Sequence, residues 1–220
     1  MASAPDSNAR TPVTRERVLR AAVAIADQGG LESLTMRRLG RHLGVEAMSL
    51  YKHVASKEEV LDGIVDLVIG EIDLPPADAD WKAAMRHRAE SARAVLASHP
   101  WAIGMMESRS EMGPAAMRYT DAVVGSLRAA GFSLETTANA FLLLDSYIYG
   151  FVVQETSFAG GIDEETSERA GATLQALPGD RFPHLAEMAR AASVPGRDHA
   201  HAFGFGLELI LDGLEPLRGS

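Results

Sequence analysis

Residues 44–61 read GVEAMSLYKHVASKEEVL. Gly44 is a helix-ending residue, and a short apolar-periodic segment follows it at once. With Ala47 set at zero and about 100° turned per residue, Ala47, Leu50, Tyr51 and Val54 share one narrow arc, the side expected to be buried. Met48, Ser49 and Lys52 fall opposite, with His53 on a flank. Ser56-Lys57-Glu58-Glu59 then has the S-x-x-E form of a capping box and opens the next helix. The spacing therefore predicts a helix of about two turns between a glycine turn and a capped helix.

The same logic extends in both directions. Thr35 can cap a helix whose inner face is Met36, Leu39, Gly40 and Leu43, leaving Arg37, Arg38 and Arg41 outward. Further upstream, Thr14 caps a helix with an apolar face of Val18, Ala22, Ile25 and Ala26, stopped by Gly29-Gly30. Downstream, Leu61, Ile64, Val65, Val68 and Ile72 form a stripe that Pro75-Pro76 ends. Residues 35–54 thus read as a helix-turn-helix inside a small helical domain.

A single helix fits the DNA major groove, and its outward residues must offer groups to base edges. Ser49 and Lys52 offer donors there, and the Met48 thioether can lie against a thymine methyl. Thr35, Arg37, Tyr51, His53 and Lys57 offer donors for phosphates, which set register without reading sequence. The competing interpretation is a helical domain with a solvated basic face.

Charge alone does not decide between the two. The 220-residue chain has 21 Lys+Arg, 30 Asp+Glu and a formal charge of −9. Residues 1–57 nevertheless hold nine basic and five acidic side chains, so the head is basic and the remainder strongly acidic. That asymmetry suggests that only the head meets a polyanion, against the alternative of a chance fluctuation in charge.

The stretch LTMRRLGRHLGVEAMSLYKHVASKEEVLDGI, residues 34–64, resembles the N-terminal domain of the tetracycline-repressor (TetR) family. The matching positions are Leu34, Thr35, Arg37, Leu39 and Gly40; Leu43, Gly44 and Val45; Leu50, Tyr51, His53 and Val54; and Lys57. The resemblance covers about residues 13–64. It implies that Thr35 and Arg37 lie where the family touches phosphate and sometimes a base. It also implies that Ala47, Met48 and Ser49 begin the recognition helix, and that Tyr51, His53 and Lys57 contact the DNA backbone. Lys52 occupies a variable position facing the groove. The tetracycline repressors themselves carry Gln-Pro where this chain has Ala47-Met48. The missing amide removes a bidentate adenine contact, so a different operator is expected.

Beyond the head every segment reads as helix, so the fold class expected is all-α. The domains expected are a disordered arm (1–13), a helix-turn-helix domain (14–60), and a ligand-binding and dimerisation domain (61–220). Helices are expected over 81–98, from Pro100, from Pro114 to Gly131, and from Ser133 to about Phe158. A glycine loop at 159–161 follows, then helices over 164–176, 182–192 and about 197–217. Between Glu135 and Glu155 Asp145 alone is charged, and such a helix must be covered on nearly all sides. In the last helix Phe203, Leu207, Ile210, Leu211 and Leu214 make one stripe, while Phe205 and Leu209 lie outside it. FGFGLELILDGLEPL, residues 203–217, resembles the end of the tetracycline-repressor-type C-terminal domain. Phe151, Phe205 and Leu209 are the dimer-interface candidates, against the alternative of central helices in a monomer.

The resemblance implies a homodimer on palindromic double-stranded DNA, released by a small effector. Trp101, Met105, Tyr119, Asn139 and Tyr147 are the ligand candidates, and their character suggests a hydrophobic or aromatic compound. An activator remains open, because sequence does not separate activation from repression. The enzyme alternative finds no HExxH, GxSxG, P-loop or cysteine. His199 and His201 are about 200° apart on a helix and cannot share one metal, though His184 could add to a site across elements. No cofactor or metal is expected. An N-terminus without an apolar signal core, and apolar runs short of the roughly 20 residues of a membrane helix, point to the cytoplasm.

Overall fold

The computed structural model describes residues 12–108, 111–160, 181–192 and 199–219. The described residues are helical, with no strand among them. They divide into two compact units. The first comprises the chain to Glu71 together with Trp101–Met117, and the second Ile72–Pro100 together with the chain from Arg118.

In the first unit α1 spans Arg15–Gly29, capped by Thr14, whose hydroxyl accepts from Arg17 N at 3.2 Å. A 3-10 turn at Leu31–Ser33 leads to α2, Met36–Leu43, where Thr35 accepts from Arg38 N at 3.1 Å. Gly44, at φ +72°, ends α2 in the left-handed region that glycine occupies without strain. Then come α3, Ala47–Leu50, and α4, Lys57–Ile69. Ser56 accepts from Glu59 N at 3.1 Å, and Glu59 returns to the amide of Ala55 at 2.6 Å. The capping box is thus reciprocal, with the carboxylate reaching one residue further back than the usual form. Val18, Leu19, Ala22 and Ile25 of α1 pack with Leu39, Leu50, Val54, Val60 and Ile64 in one core.

Two features of this unit differ from the expected ones. The third helix is one turn, followed by turn residues 51–53, rather than two turns. Tyr51 therefore departs from the ideal-helix arc and is exposed, while Leu50 and Val54 are buried. In addition, the compact unit runs past residue 60. α4 is continuous to Ile69 and packs on α1, with Gly63 against Leu19. α6, Trp101–Ser108, also belongs to this unit and contacts α4.

The second unit is built on α5 (Trp81–Ser98), α8 (Leu134–Gly160) and α10 (His199–Leu214). α7 (Pro114–Ala129) enters it from Arg118 onward, and α9 spans Pro183–Ala192. Asp80 caps α5, and Ser133 accepts from Thr136 N at the start of α8. Ala84, Met85, Ala89, Ala92 and Leu96 of α5 are buried, as are Leu144, Ile148 and Val152 of α8 and Phe203, Leu207 and Leu211 of α10. α8 runs through Gly160, so residues 159 and 160 of the expected loop are helical, and residue 161 lies outside the described residues. The helix expected over 164–176 and residues 1–11 of the arm lie outside the described residues. No described helix is long and apolar enough to cross a membrane.

Candidate functional site

The geometry of the helix-turn-helix follows from two glycines. Gly44 supplies the left-handed turn, and Gly40 supplies clearance. A Cβ at Gly40 would lie 2.8 Å from the Val45 carbonyl oxygen and 3.1 Å from Ala47 N. The absence of a side chain there lets the turn close onto α2, and Val45 N donates to Gly40 O at 2.9 Å. Leu39 and Leu50 are fully buried and hold α2 and α3 to the core.

That packing leaves a definite outer face. Met48 is 76% exposed, an unusual state for a large apolar side chain on a well-packed helix. Arg37, Lys52 and Lys57 are exposed, as are Thr35 and Tyr51; Ala47, Ser49 and His53 are half-buried. All nine DNA-contact candidates are thus at least partly accessible, on α2, α3, the turn after it and the start of α4. Among the described residues none of Arg37, Arg41, Lys52 and Lys57 forms an ion pair. Arg15 differs: its Nε lies 3.1 Å from Glu59 Oε1. The Ala55 amide first and Arg15 second hold the Glu59 carboxyl below the usual carboxylate range.

The ligand candidates lie in different settings. Trp101 and Met105 belong to the first unit on α6, both half-buried. The Trp101 indole N–H donates to Asp27 Oδ1 of α1 at 2.7 Å. Asn139 is exposed on α8. Tyr147 of α8 donates to the Phe203 carbonyl at 2.7 Å and stacks on the Phe203 ring, centroids 5.3 Å apart. A Cβ at Gly206 would strike this phenol, so the glycine admits the contact between α8 and α10.

Tyr119 leads to a constellation that the sequence pattern did not single out. Its hydroxyl accepts from Arg88 Nε at 2.6 Å, and Arg88 Nη2 pairs with Asp145. Tyr149 donates to the other oxygen of Asp145 at 3.3 Å. Arg88 is fully buried and Asp145 nearly so. Burial opposes the Arg88 charge, and the neighbouring Tyr119 and Asp145 more than offset it, so its pKa is raised. Burial also pushes the Tyr119 phenol up to about 12, and raises Tyr149 with the help of the Asp145 charge. Both are neutral phenols near pH 7. The lone charge at Asp145 in a long apolar run was the available signal, since a carboxylate there needs a partner.

The dimer candidates separate too. Phe205 and Leu209 are 65% and 60% exposed on α10. Phe151 is half-buried and packs edge-on against Phe203 of the same chain at 5.1 Å. On α8 the exposed apolar residues are instead Leu134, Leu142, Leu143 and Val153. His199 and His201 are exposed, and no cluster of three or more metal-ligating side chains occurs among the described residues.

Comparison with known proteins places both units. Residues 18–64 match the profile described as bacterial regulatory proteins, tetR family, and residues 74–218 the tetracyclin repressor-like C-terminal domain. The HTH-type transcriptional repressor DrrR1 of Streptomyces coeruleorubidus is 35% identical, over 97% of this chain and 81% of that one. The class A tetracycline repressor from transposon 1721 of Escherichia coli is 32% identical, over 94% and 93%. Among solved structures, the TetR family protein ActR of Streptomyces coelicolor, in complex with actinorhodin, superposes with a TM-score of 0.77. It is 28% identical, covering 96% of this chain and 100% of that chain.

Proposed function

This chain belongs to the tetracycline-repressor family of bacterial regulatory proteins, a family of transcriptional regulators rather than enzymes, and we propose that it is an effector-released repressor. It binds a palindromic operator as a homodimer in the cytoplasm and leaves it when a small hydrophobic or aromatic compound occupies the C-terminal domain. The observation that carries the reading is the outer face of α2 and α3. Met48 is exposed, and Arg37, Lys52 and Lys57 stand outward without ion pairs among the described residues. A surface of unpaired cations around an exposed thioether suits phosphates flanking a groove that presents thymine methyls. Ala47, Ser49 and Lys52 face base edges with Met48; Thr35, Arg37, Tyr51, His53 and Lys57 hold phosphates.

The dimer reading rests on the second unit. Exposed Leu142, Leu143 and Val153 on α8, with Phe205 and Leu209 on α10, leave two packed helices with apolar residues unburied. A second copy of the same helices would cover them and impose the two-fold axis that a palindrome mirrors. The relatives support the regulatory part: DrrR1 is named a repressor, and ActR was solved with actinorhodin. Release is a population shift, in which effector binds better to the conformation whose recognition helices are wrongly spaced.

The test is binding of the purified protein to DNA upstream of its own gene at several salt concentrations. Specific binding that weakens steeply with salt is expected, with a logarithmic slope of about −0.9 per phosphate neutralised. If neither that DNA nor selection from random duplexes yields a palindrome, the operator reading fails.

A further inference from the structure

We propose that the second unit takes a neutral aromatic ligand carrying a carbonyl oxygen, which accepts a hydrogen bond from Nη1 of the buried Arg88. The inference rests on the effector-binding reading above and adds the ligand's chemistry. Arg88 uses Nε on Tyr119 and Nη2 on Asp145, but Nη1 is buried with no hydrogen-bond partner. Thr137 Oγ1 is in the same condition. Thr137, Phe141, Asp145 and Tyr149 follow one another at steps of four along α8, one stripe of that helix. The Arg88 guanidinium lies over the Phe141 ring at 5.5 Å and the Tyr119 ring at 5.2 Å. The unmatched donor and two aromatic rings therefore meet in the α5–α7–α8 core.

Native proteins rarely leave buried donors unpaired, so Nη1 calls for an acceptor. The charges already present select its kind. Arg88 already pairs with the Asp145 carboxylate, and Tyr119 is a neutral phenol at neutral pH. An anionic ligand would bring a second negative charge beside Asp145, away from water, where repulsion is strong. A carbonyl oxygen offers its lone pairs without that charge. A hydrocarbon offers no acceptor and leaves Nη1 as it is. The rings of Phe141 and Tyr119 favour a flat aromatic frame. A buried water would also satisfy Nη1, but it would not discriminate between such ligands.

Three two-ring probes of similar size separate these possibilities: 2-acetylnaphthalene, 2-naphthoate and 2-ethylnaphthalene. Each is titrated into the full-length protein, and the carbonyl stretch of bound 2-acetylnaphthalene is recorded by infrared spectroscopy. The ketone is expected to bind about tenfold or more tightly than the other two, as a hydrogen bond from a charged donor provides. Its stretch should fall below the value in an apolar solvent. Arg88→Met combined with Asp145→Asn removes both charges together, a change that folds tolerate better than leaving one charge buried. In that variant the preference should shrink to about twofold or less and the stretch should move back up. The infrared shift is read on the unaltered protein, so it stands even if the variant fails to fold. Equal or tighter binding of naphthoate or ethylnaphthalene, an unshifted stretch, or a preference that survives in a folded double variant would each overturn the proposal. Failure of all three probes to bind would overturn it as well. Release of operator DNA by an unrelated compound would then still uphold the effector-binding reading.

Discussion

The cations of the helix-turn-helix face and those of α5 are held in opposite ways. In the first, Arg37, Arg41, Lys52 and Lys57 form no ion pair among the described residues. In the second, the Lys and Arg side chains of α5 each meet a carboxylate. Lys82 pairs with Asp212 at 2.7 Å and Arg86 with Glu208 on α10; Arg88 pairs with Asp145 and Arg93 with Glu155 on α8. A cation already matched has little left to offer a polyanion, whereas an unmatched one keeps its donors for phosphate. The acidic surplus of the chain thus has a structural role: it neutralises α5 and leaves the head basic.

Breaking the proposed dimer should have the largest effect on DNA. Phe205→Glu with Leu209→Glu places charges on side chains that the fold itself leaves exposed, so folding should persist by circular dichroism. Sedimentation should show monomers. Affinity for a palindrome should fall about 10²- to 10⁴-fold, the range lost when two linked half-site contacts become independent. A monomeric variant with unchanged operator affinity would remove the dimer from the mechanism.

Next in size is Arg88→Met alone. It strands Asp145 in the core, and unfolding stability should drop by about 3–5 kcal/mol in denaturant titrations. Adding Asp145→Asn should recover most of it. Exposed Arg37→Met in the first unit should change stability by no more than about 0.5 kcal/mol. Similar losses at the two arginines would erase the distinction drawn between the units.

The reader's own cations come third. Lys52→Ala or Lys57→Ala should weaken operator binding about tenfold, as one charge-assisted contact is lost, and lower the salt slope by about 1. In the proposed DNA contact Lys52 faces the groove, so its loss should also relax sequence preference. Lys57 at the start of α4 should weaken all duplexes alike.

The reader was legible because its signals are local. Thr14, Thr35 and Ser56 cap helices from within three residues, Gly44 breaks one, and the periodic apolar positions became the core. Tyr51 was misjudged because an ideal helical wheel does not apply once α3 turns off at Leu50. The two-sided character of α10 was legible too, since Phe205 and Leu209 lie off the buried stripe. The packing of Phe151 on Phe203 was not, because that contact is made across some fifty residues. Arg88 and Asp145 are 57 residues apart, so their pairing leaves no local signal, although Arg88 lies on the same helical stripe as Trp81, Ala84, Met85, Ala89, Ala92 and Leu96.

Acid provides the finest test of the same contrast. Arg93 holds the Glu155 carboxyl below the usual range, Arg86 holds Glu208 and Lys82 holds Asp212, while Glu215 is lowered first by Arg218. A depressed carboxyl adds stability that is fully present above its unfolded pKa and is lost as pH falls through the folded value. The window therefore opens just below the ordinary carboxylate range, near pH 4.5, and extends downward from there. Four such groups lie in the second unit, against Glu59 in the first among the described residues. Hydrogen exchange followed from pH 6 to pH 3 should show protection fading sooner along α5, α8 and α10 than along α1, α2 and α4. Glu155→Gln should flatten part of that response, because an amide keeps a hydrogen-bond acceptor but has no proton to gain. An equal loss of protection in both units would mean that the α5 pairs are too well solvated to tie the second unit's stability to pH.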